Sequence, residues 1–340
     1  MITVFTPAYN RAHLLPRLYE SLCKQTFKDF EWVIVDDGSV DDTRSVVEQF
    51  SVLGFEFSGD KAQSLNTQHS TLNTNTIRYF YQENGGKHRA INRGVKEARG
   101  ELFLILDSDD TLPERSLEWI NHYYQQIKDD ASFGGVCGYM AHHDGTIIGH
   151  GNDDKVLDAN SIEMRYKYGI QGDMLEVFRT EVMREIPFPE IPGEKFVSEA
   201  LTWNRIACKY KLRVFHEVVY YRDYLDGGLT DKIIKIRMTS PIAAMMTYQE
   251  LNSYDIPFAS KVKAAINYWR FRMCSHKLNG SRFTLNGSWL RANDNQDGTQ
   301  KPQKPQIENG NFPRLPWYWN WTMPIGWAMH MKDVNNKKTR

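Results

Sequence analysis

The sequence predicts an α/β fold built on a doubly wound, mostly parallel sheet. Three observations carry that prediction. Short apolar runs recur at residues 2–6, 31–35, 77–81 and 102–106. Each run ends in a polar loop, and helically spaced apolar residues fill the intervals. The fourth run, Leu102-Phe103-Leu104-Ile105-Leu106, is apolar without alternation, the pattern of a strand buried on both faces.

The first run stops at Pro7-Ala8-Tyr9-Asn10-Arg11, and Leu14, Leu15, Leu18 and Leu22 then mark a helix. The second ends in Asp36-Asp37-Gly38-Ser39, after which Asp41 or Asp42 can cap a helix carrying Val46, Val47 and Phe50. Residues 51–76, rich in Ser, Thr, Asn and Gln, read as a surface insertion. The third run leads through Asn84-Gly85-Gly86-Lys87-His88-Arg89 into a helix with Ala90, Ile91, Val95 and Ala98, closed by Gly100. The fourth ends in Asp107-Ser108-Asp109-Asp110, and Pro113 is expected to open a helix reaching about residue 128.

Further on, Asp144-Gly145 between two short apolar runs signals a hairpin. His142, His143, Asp144, His150 and Asp153 are better explained by its polar tip than by a metal cluster. Residues 174–186 read as strand then helix, 187–192 as a loop, 196–210 as a helix and 214–221 as a strand, followed by Gly227-Gly228-Leu229-Thr230. Residues 231–292 form a helical extension, 293–311 a flexible linker and 312–340 an aromatic and basic tail.

The totals exclude some classes. Lys plus Arg and Asp plus Glu are 42 each, so no excess charge supports bulk nucleic-acid binding. Cys23, Cys137, Cys208 and Cys274 have no paired spacing, so reduced thiols in a cytoplasmic protein are expected. Pro7 comes too early for a signal peptide's apolar core, and no apolar run is long enough to span a membrane.

The 107–110 stretch organises the chemistry. Asp107 and Asp109 share a face of a strand, and carboxylates crowded at a strand's C-terminal edge repel unless a cation sits among them. A hard divalent ion held by one or two carboxylates and a substrate's phosphates removes that repulsion. A solvated turn, with Asp110 or Thr111 capping the next helix, accounts for one carboxylate but not three.

The succession Thr6-Pro7-Ala8-Tyr9-Asn10-Arg11, Val35-Asp36-Asp37-Gly38-Ser39, Asn84-Gly85-Gly86-Lys87 and Leu106-Asp107-Ser108-Asp109-Asp110 resembles a family 2 glycosyltransferase of the GT-A fold. The likeness covers roughly residues 1–230, with 1–115 as nucleotide-sugar half and 116–230 as acceptor half. It implies an inverting enzyme moving a sugar from a nucleotide-sugar, UDP-linked by preference, with Mg²⁺ or Mn²⁺ as cofactor. It also implies a saccharide or lipid-linked acceptor and a place in bacterial surface-polysaccharide assembly. By the same likeness Asp109 is the metal ligand of the DXD motif, Asp107 with Ser108 contacts the sugar or ribose, and Asp110 is either a second ligand or a helix cap. Asp37, or Asp36 in its place, accepts the N3–H of a uracil. Pro7, Tyr9, Asn10 and Arg11 cradle base and ribose, Lys87 faces phosphate, and Asn92 meets the donor.

Inversion by single displacement needs a general base on the acceptor hydroxyl. Ser198-Glu199 with Arg205 six residues on matches the family's pattern, with Glu in the second place and Ser in the first, which makes Glu199 the base. Glu194 is its rival, and a plain Glu199–Arg205 salt bridge is the ordinary reading. Asp173 is expected on the acceptor side and Thr230 near the diphosphate. In the tail, Trp317, Trp319, Trp321 and Trp327 beside Lys332, Lys337, Lys338 and Arg340 fit either a peripheral contact through 312–331 with the inner face of the cytoplasmic membrane or packing onto the catalytic domain. Its two prolines argue against one straight helix. Two alternatives share the central stretch. A haloacid-dehalogenase-type phosphatase would use Asp107 and Asp109, but its strand comes first in the domain. A non-catalytic nucleotide-sugar binder would lack a working base.

Overall fold

The computed structural model describes residues 1–53, 77–150, 156–222, 229–275 and 316–338. The expected insertion beyond residue 53, the 293–311 linker, Asp153, Gly227-Gly228 and the side chain of Thr230 lie outside the described residues.

In chain order the elements are β1 (Ile2–Ala8), α1 (Leu15–Cys23), β2 (Phe30–Asp36), α2 (Thr43–Leu53), β3 (Ile77–Tyr81), α3 (Lys87–Glu97), β4 (Leu102–Ile105) and α4 (Ser116–Gln125). Then come β5 (Phe133–Ala141), β6 (Val156–Ala159), α5 (Ser161–Tyr166), β7 (Met174–Arg179), α6 (Thr180–Glu185), α7 (Glu199–Ala207) and β8 (Lys211–Tyr221). The helices α8 (Leu229–Thr239), α9 (Pro241–Ser253), α10 (Phe258–Ser275) and α11 (Trp319–Lys338) follow.

The strands form one mixed sheet in the order β3-β2-β1-β4-β7-β5-β8-β6. β3, β2, β1 and β4 run parallel. The parallel register stops at β4, because β7 joins it antiparallel and pairs antiparallel with β5 as well. β5 and β8 are again parallel, and β6 closes the edge antiparallel. The chain turns outward in opposite directions from β1 and β4, so the C-terminal ends of these two strands flank the crevice where open α/β sheets bind ligands.

Each face of the sheet buries its own core. One contains Ile2, Val4, Trp32, Leu104 and Phe215 with the inner faces of α1, α2 and α4. The other contains Phe5, Val35, Phe103, Phe178 and Val214 with α3, α6 and α7. β1 and β2 are buried almost throughout, as a strand covered on both sides must be. A third core joins Ala244, Ala265, Tyr268, Phe271 and Trp319 within the helical extension.

Three expectations need correction. Pro113 does not open a helix: α4 starts at Ser116 after Arg115, with no side-chain cap. Backbone hydrogen bonds between Thr111 and Tyr221 (3.1 and 2.9 Å) hold the chain extended there, so neither Asp110 nor Thr111 caps α4. The segment after the 142–145 turn returns beside β5 through a single bridge, Ala141 to Ile147, rather than a full strand. The tail is one helix despite Pro324 inside it. Packing offsets the missing helical hydrogen bond: Trp319 is buried, Arg270 holds Asp333 through two nitrogens (2.6 and 2.7 Å), and Gly326 lies tight against Trp269. Trp319 therefore packs inward, while Trp317, Trp321 and Trp327 stay exposed.

Candidate active site

The loops after β1 and β2 are bonded into one wall. The Asn10 amide donates to Ser39 Oγ (2.8 Å), Val40 donates to Asn10 Oδ1 (2.9 Å), and Arg11 donates to Thr43 Oγ1 (3.0 Å). Asn10 sits at φ 55°, a left-handed conformation that Asn tolerates better than most residues. Pro7 pairs with Val35 inside the sheet, and Tyr9 is half exposed at the crevice rim.

Asp36 and Asp37 are both buried, and their carboxylates serve the protein's own loops. Asp36 accepts from the Ser39 amide (2.8 Å) and the Tyr79 hydroxyl (2.6 Å). Asp37 accepts from Gln82 Nε2 (2.8 Å) and from the amides of Gly85 (2.9 Å) and Gly86 (2.7 Å). Three bonds leave a carboxylate about one further acceptor direction.

Gly86 marks the seam between the two halves. It has φ +99°, and a Cβ there would lie 2.0 Å from the Lys195 carbonyl oxygen, so only glycine permits the approach. Arg89 bolts the same seam by donating to the carbonyls of Glu194 and Ile191, both at 2.8 Å. Asn92 exchanges hydrogen bonds with Phe188 (2.9 and 3.0 Å) and reaches Glu190 (2.8 Å), so its amide holds this loop rather than the crevice.

Lys87, the first residue of α3, brings the predicted groups together. Its Nζ lies 2.7 and 2.8 Å from the two oxygens of Asp107 and 2.9 Å from Glu199 Oε1. Burial alone would disfavour the ammonium, but Asp107 and then Glu199 outweigh it and hold Lys87 above the usual lysine range. Glu199, at the start of α7, thus stands beside the carboxylates that end β4. It does not pair with Arg205, which grips Glu250 of α9 through two nitrogens (2.8 and 2.6 Å). The expected ordinary salt bridge is not formed.

Asp110 is buried behind this cluster and accepts from the Tyr220 hydroxyl at 2.7 Å. Burial, then the Asp107 charge, push its carboxyl up to about 7 against the pull of that hydrogen bond. Ser108 is buried beside it. Asp109 uses its carbonyl to hold the Arg17 guanidinium, and its carboxylate has no partner among the described residues.

The described residues contain no cage of three His, Cys, Asp or Glu side chains for a metal, and none at the His142–His143 tip. A magnesium-like ion carried by one or two carboxylates and a diphosphate needs no such cage. Asp109, whose carboxylate has no partner among the described residues, fits that second mode.

Some functional contacts have no local sequence signal. Glu194 is buried, and its oxygens accept from the Ile242 (2.7 Å) and Ala243 (2.8 Å) amides at the start of α9. It caps a helix, so it is not a free base. Asp173 pairs with Arg222 at 2.8 Å. Glu176 stands on the sheet face it shares with Met174 and Phe178. Burial pushes its carboxyl up to about 7; Arg165 opposes that shift, while Glu199 and Asp173 add to it.

A parallel half-sheet ending in these loops, joined to a mixed half that supplies Glu199, defines a GT-A-type α/β domain. Comparison with known proteins assigns it. Residues 3–146 match the model described as "Glycosyl transferase family 2". Glycosyltransferase GlyG of Streptococcus pneumoniae is 30% identical over 140 residues, 41% of this chain and 40% of that protein. An uncharacterized glycosyltransferase of Nostoc sp. is 34% identical over 160 residues, 47% of this chain and 41% of its own. The match thus spans about two-fifths of the length of these relatives. S. aureus TarS 1-349 in complex with UDP-GlcNAc shares the fold at TM-score 0.54 and 18% identity, over 85% of this chain and 78% of that one. The mannosyltransferase PcManGT from Pyrobaculum calidifontis, in complex with GDP-Man and Mn²⁺, does so at 0.52 and 18%, over 98% and 86%. The strand leading to Asp107, β4, is fourth in the chain, which removes the phosphatase alternative's topology.

Proposed function

We propose that the chain is an inverting glycosyltransferase that moves a hexosyl unit from a UDP-linked sugar to a saccharide or lipid-linked acceptor, with Glu199 as general base. The observation that carries this reading is the Lys87 bridge, which sets Glu199 beside Asp107 across the crevice between β1 and β4.

In this reading Pro7, Tyr9, Asn10 and Arg11 line the base and ribose side. Asp37 offers its remaining acceptor direction to the uracil N3–H, and Asp36 holds the loop. Asp107 and Ser108 meet ribose or sugar, and Lys87 lies where the diphosphate's negative charge collects. Asn92 acts through the loop it holds. Asp109 would hold Mg²⁺ or Mn²⁺, which supplies Lewis-acid neutralisation of the diphosphate. Glu199 takes the acceptor's hydroxyl proton as that oxygen bonds to the anomeric carbon, and the bond from that carbon to the diphosphate oxygen breaks. The nucleotide-sugars named with the solved neighbours support the donor class, and the Mn²⁺ in one supports the metal. The setting is bacterial surface-polysaccharide assembly in the cytoplasm, peripherally at the inner membrane face where the acceptor is lipid-linked. No described helix is long and apolar enough to cross a membrane.

Glu199→Gln tests the assignment. UDP affinity in Mn²⁺ buffer, measured by calorimetry, is expected to stay within about twofold. UDP release from the wild type's UDP-sugar is expected to fall by about 10²–10⁴. Turnover within tenfold of wild type would remove Glu199 from the role.

A further inference from the structure

α11 is apolar on two sides, and only one of them is used. The inner side packs on α10 through buried Trp319, Gly326 against Trp269, and the Arg270–Asp333 pair. The outer side presents Trp321 (78% exposed), Trp327 (54%) and Ile325 (52%) together with Met323 and Met331. Trp317, 73% exposed, stands in the turn before the helix. Exposed large apolar residues are ordinary singly, but six of them between residues 317 and 331 of one helix and its leading turn mark an interaction surface.

The charge of α10 and α11 selects the partner: their described residues include Lys261, Lys263, Arg270, Arg272 and Lys332 against Asp333. Residues 312–340 carry five basic residues, Arg314, Lys332, Lys337, Lys338 and Arg340, and one acid, Asp333, which is held by Arg270. A second copy of the chain would bring two such basic segments together. A layer of anionic headgroups complements them, and tryptophan rings favour the depth where headgroups meet hydrocarbon. Pro324 fits the same setting, because lacking an N–H it leaves the Asn320 carbonyl without its helical donor on the exposed side.

We infer that the outer face of α11 seats the chain on an anionic lipid surface, with the helix lying in the headgroup plane and Trp321, Ile325 and Trp327 as its anchors. This deepens, and rests on, the peripheral-membrane part of the proposed function. The contact is fixed in orientation, because the Arg270–Asp333 pair and Trp319 lock the helix to α10.

The test is flotation of the full chain with vesicles of phosphatidylcholine alone and with about one-third phosphatidylglycerol. Wild type is expected to float with the anionic vesicles, less with the neutral ones, and less again at high salt. Trp321→Ser/Ile325→Ser/Trp327→Ser should cut the floated fraction at least tenfold while keeping the wild-type thermal melt, since all three side chains are exposed. Lys332→Glu should weaken flotation severalfold. Wild-type flotation that the triple variant retains would overturn the face and leave the membrane reading standing. Absence of wild-type flotation with either vesicle would overturn both. A sedimentation dimer that the triple variant dissolves would assign the face to a second copy instead.

Discussion

The side of the sheet carrying β3, β2, β1 and β4 and the side carrying β7, β5, β8 and β6 close on one crevice, yet they are held in different ways. On the first side, the loop contacts are backbone amides answered by Asn10, Asp36, Asp37 and Ser39, within or between neighbouring motifs. On the second, position depends on charged groups from distant elements: Lys87 to Glu199, Arg205 to Glu250, Arg222 to Asp173, and the Glu194 carboxylate on the start of α9. The wall formed by the loops after β1 and β2 is thus built locally, whereas α7 with Glu199 is hung between the parallel half of the sheet and the helical extension. Changes at the seam should therefore disturb Glu199 more than they disturb the donor loops.

Gly86→Ala breaks the comparison at its tightest point. The new methyl meets the Lys195 carbonyl at a left-handed φ, so a loss of about 3 kcal/mol in unfolding free energy is expected. Thermal or urea unfolding reads it. A change under about 0.5 kcal/mol would show that the seam is loose.

Glu176→Gln sharpens the contrast with a smaller, pH-dependent effect. The folded chain raises this carboxyl to about 7, so it binds the proton more tightly than the unfolded chain does. Its contribution is full below the ordinary glutamate value and is lost as pH rises from there toward about 7. The variant should show a flatter fall in melting temperature between pH 4.5 and 7.5 than the wild type, measured without metal. Parallel curves would contradict the buried placement.

This contrast also explains what was legible in the sequence. The four apolar runs of the donor half are visible because a doubly covered strand needs continuous hydrophobicity, and the loops ending at Asp37, Gly86 and Asp107 follow each one directly. The same logic failed at Pro113, where pairing of Thr111 with Tyr221 overrides a local helix-start signal. Glu194 and Glu199 are equally acidic in the sequence and five positions apart. Only three dimensions distinguish them, because one meets the amides of α9 and the other meets Lys87. The antiparallel insertion of β7 beside β4 is likewise a long-range pairing with no periodicity of its own. In the tail, the rule that proline ends a helix lost to packing on α10.

The central claim is that the carboxylates closing β4 receive a cation together with a nucleoside diphosphate. Calorimetric titration of UDP into wild type and Asp109→Ala, each with and without Mn²⁺, addresses it most directly. The account predicts that Mn²⁺ strengthens UDP binding to the wild type at least tenfold and leaves the variant's weak binding unchanged. Equal Mn²⁺ enhancement in both proteins would contradict it.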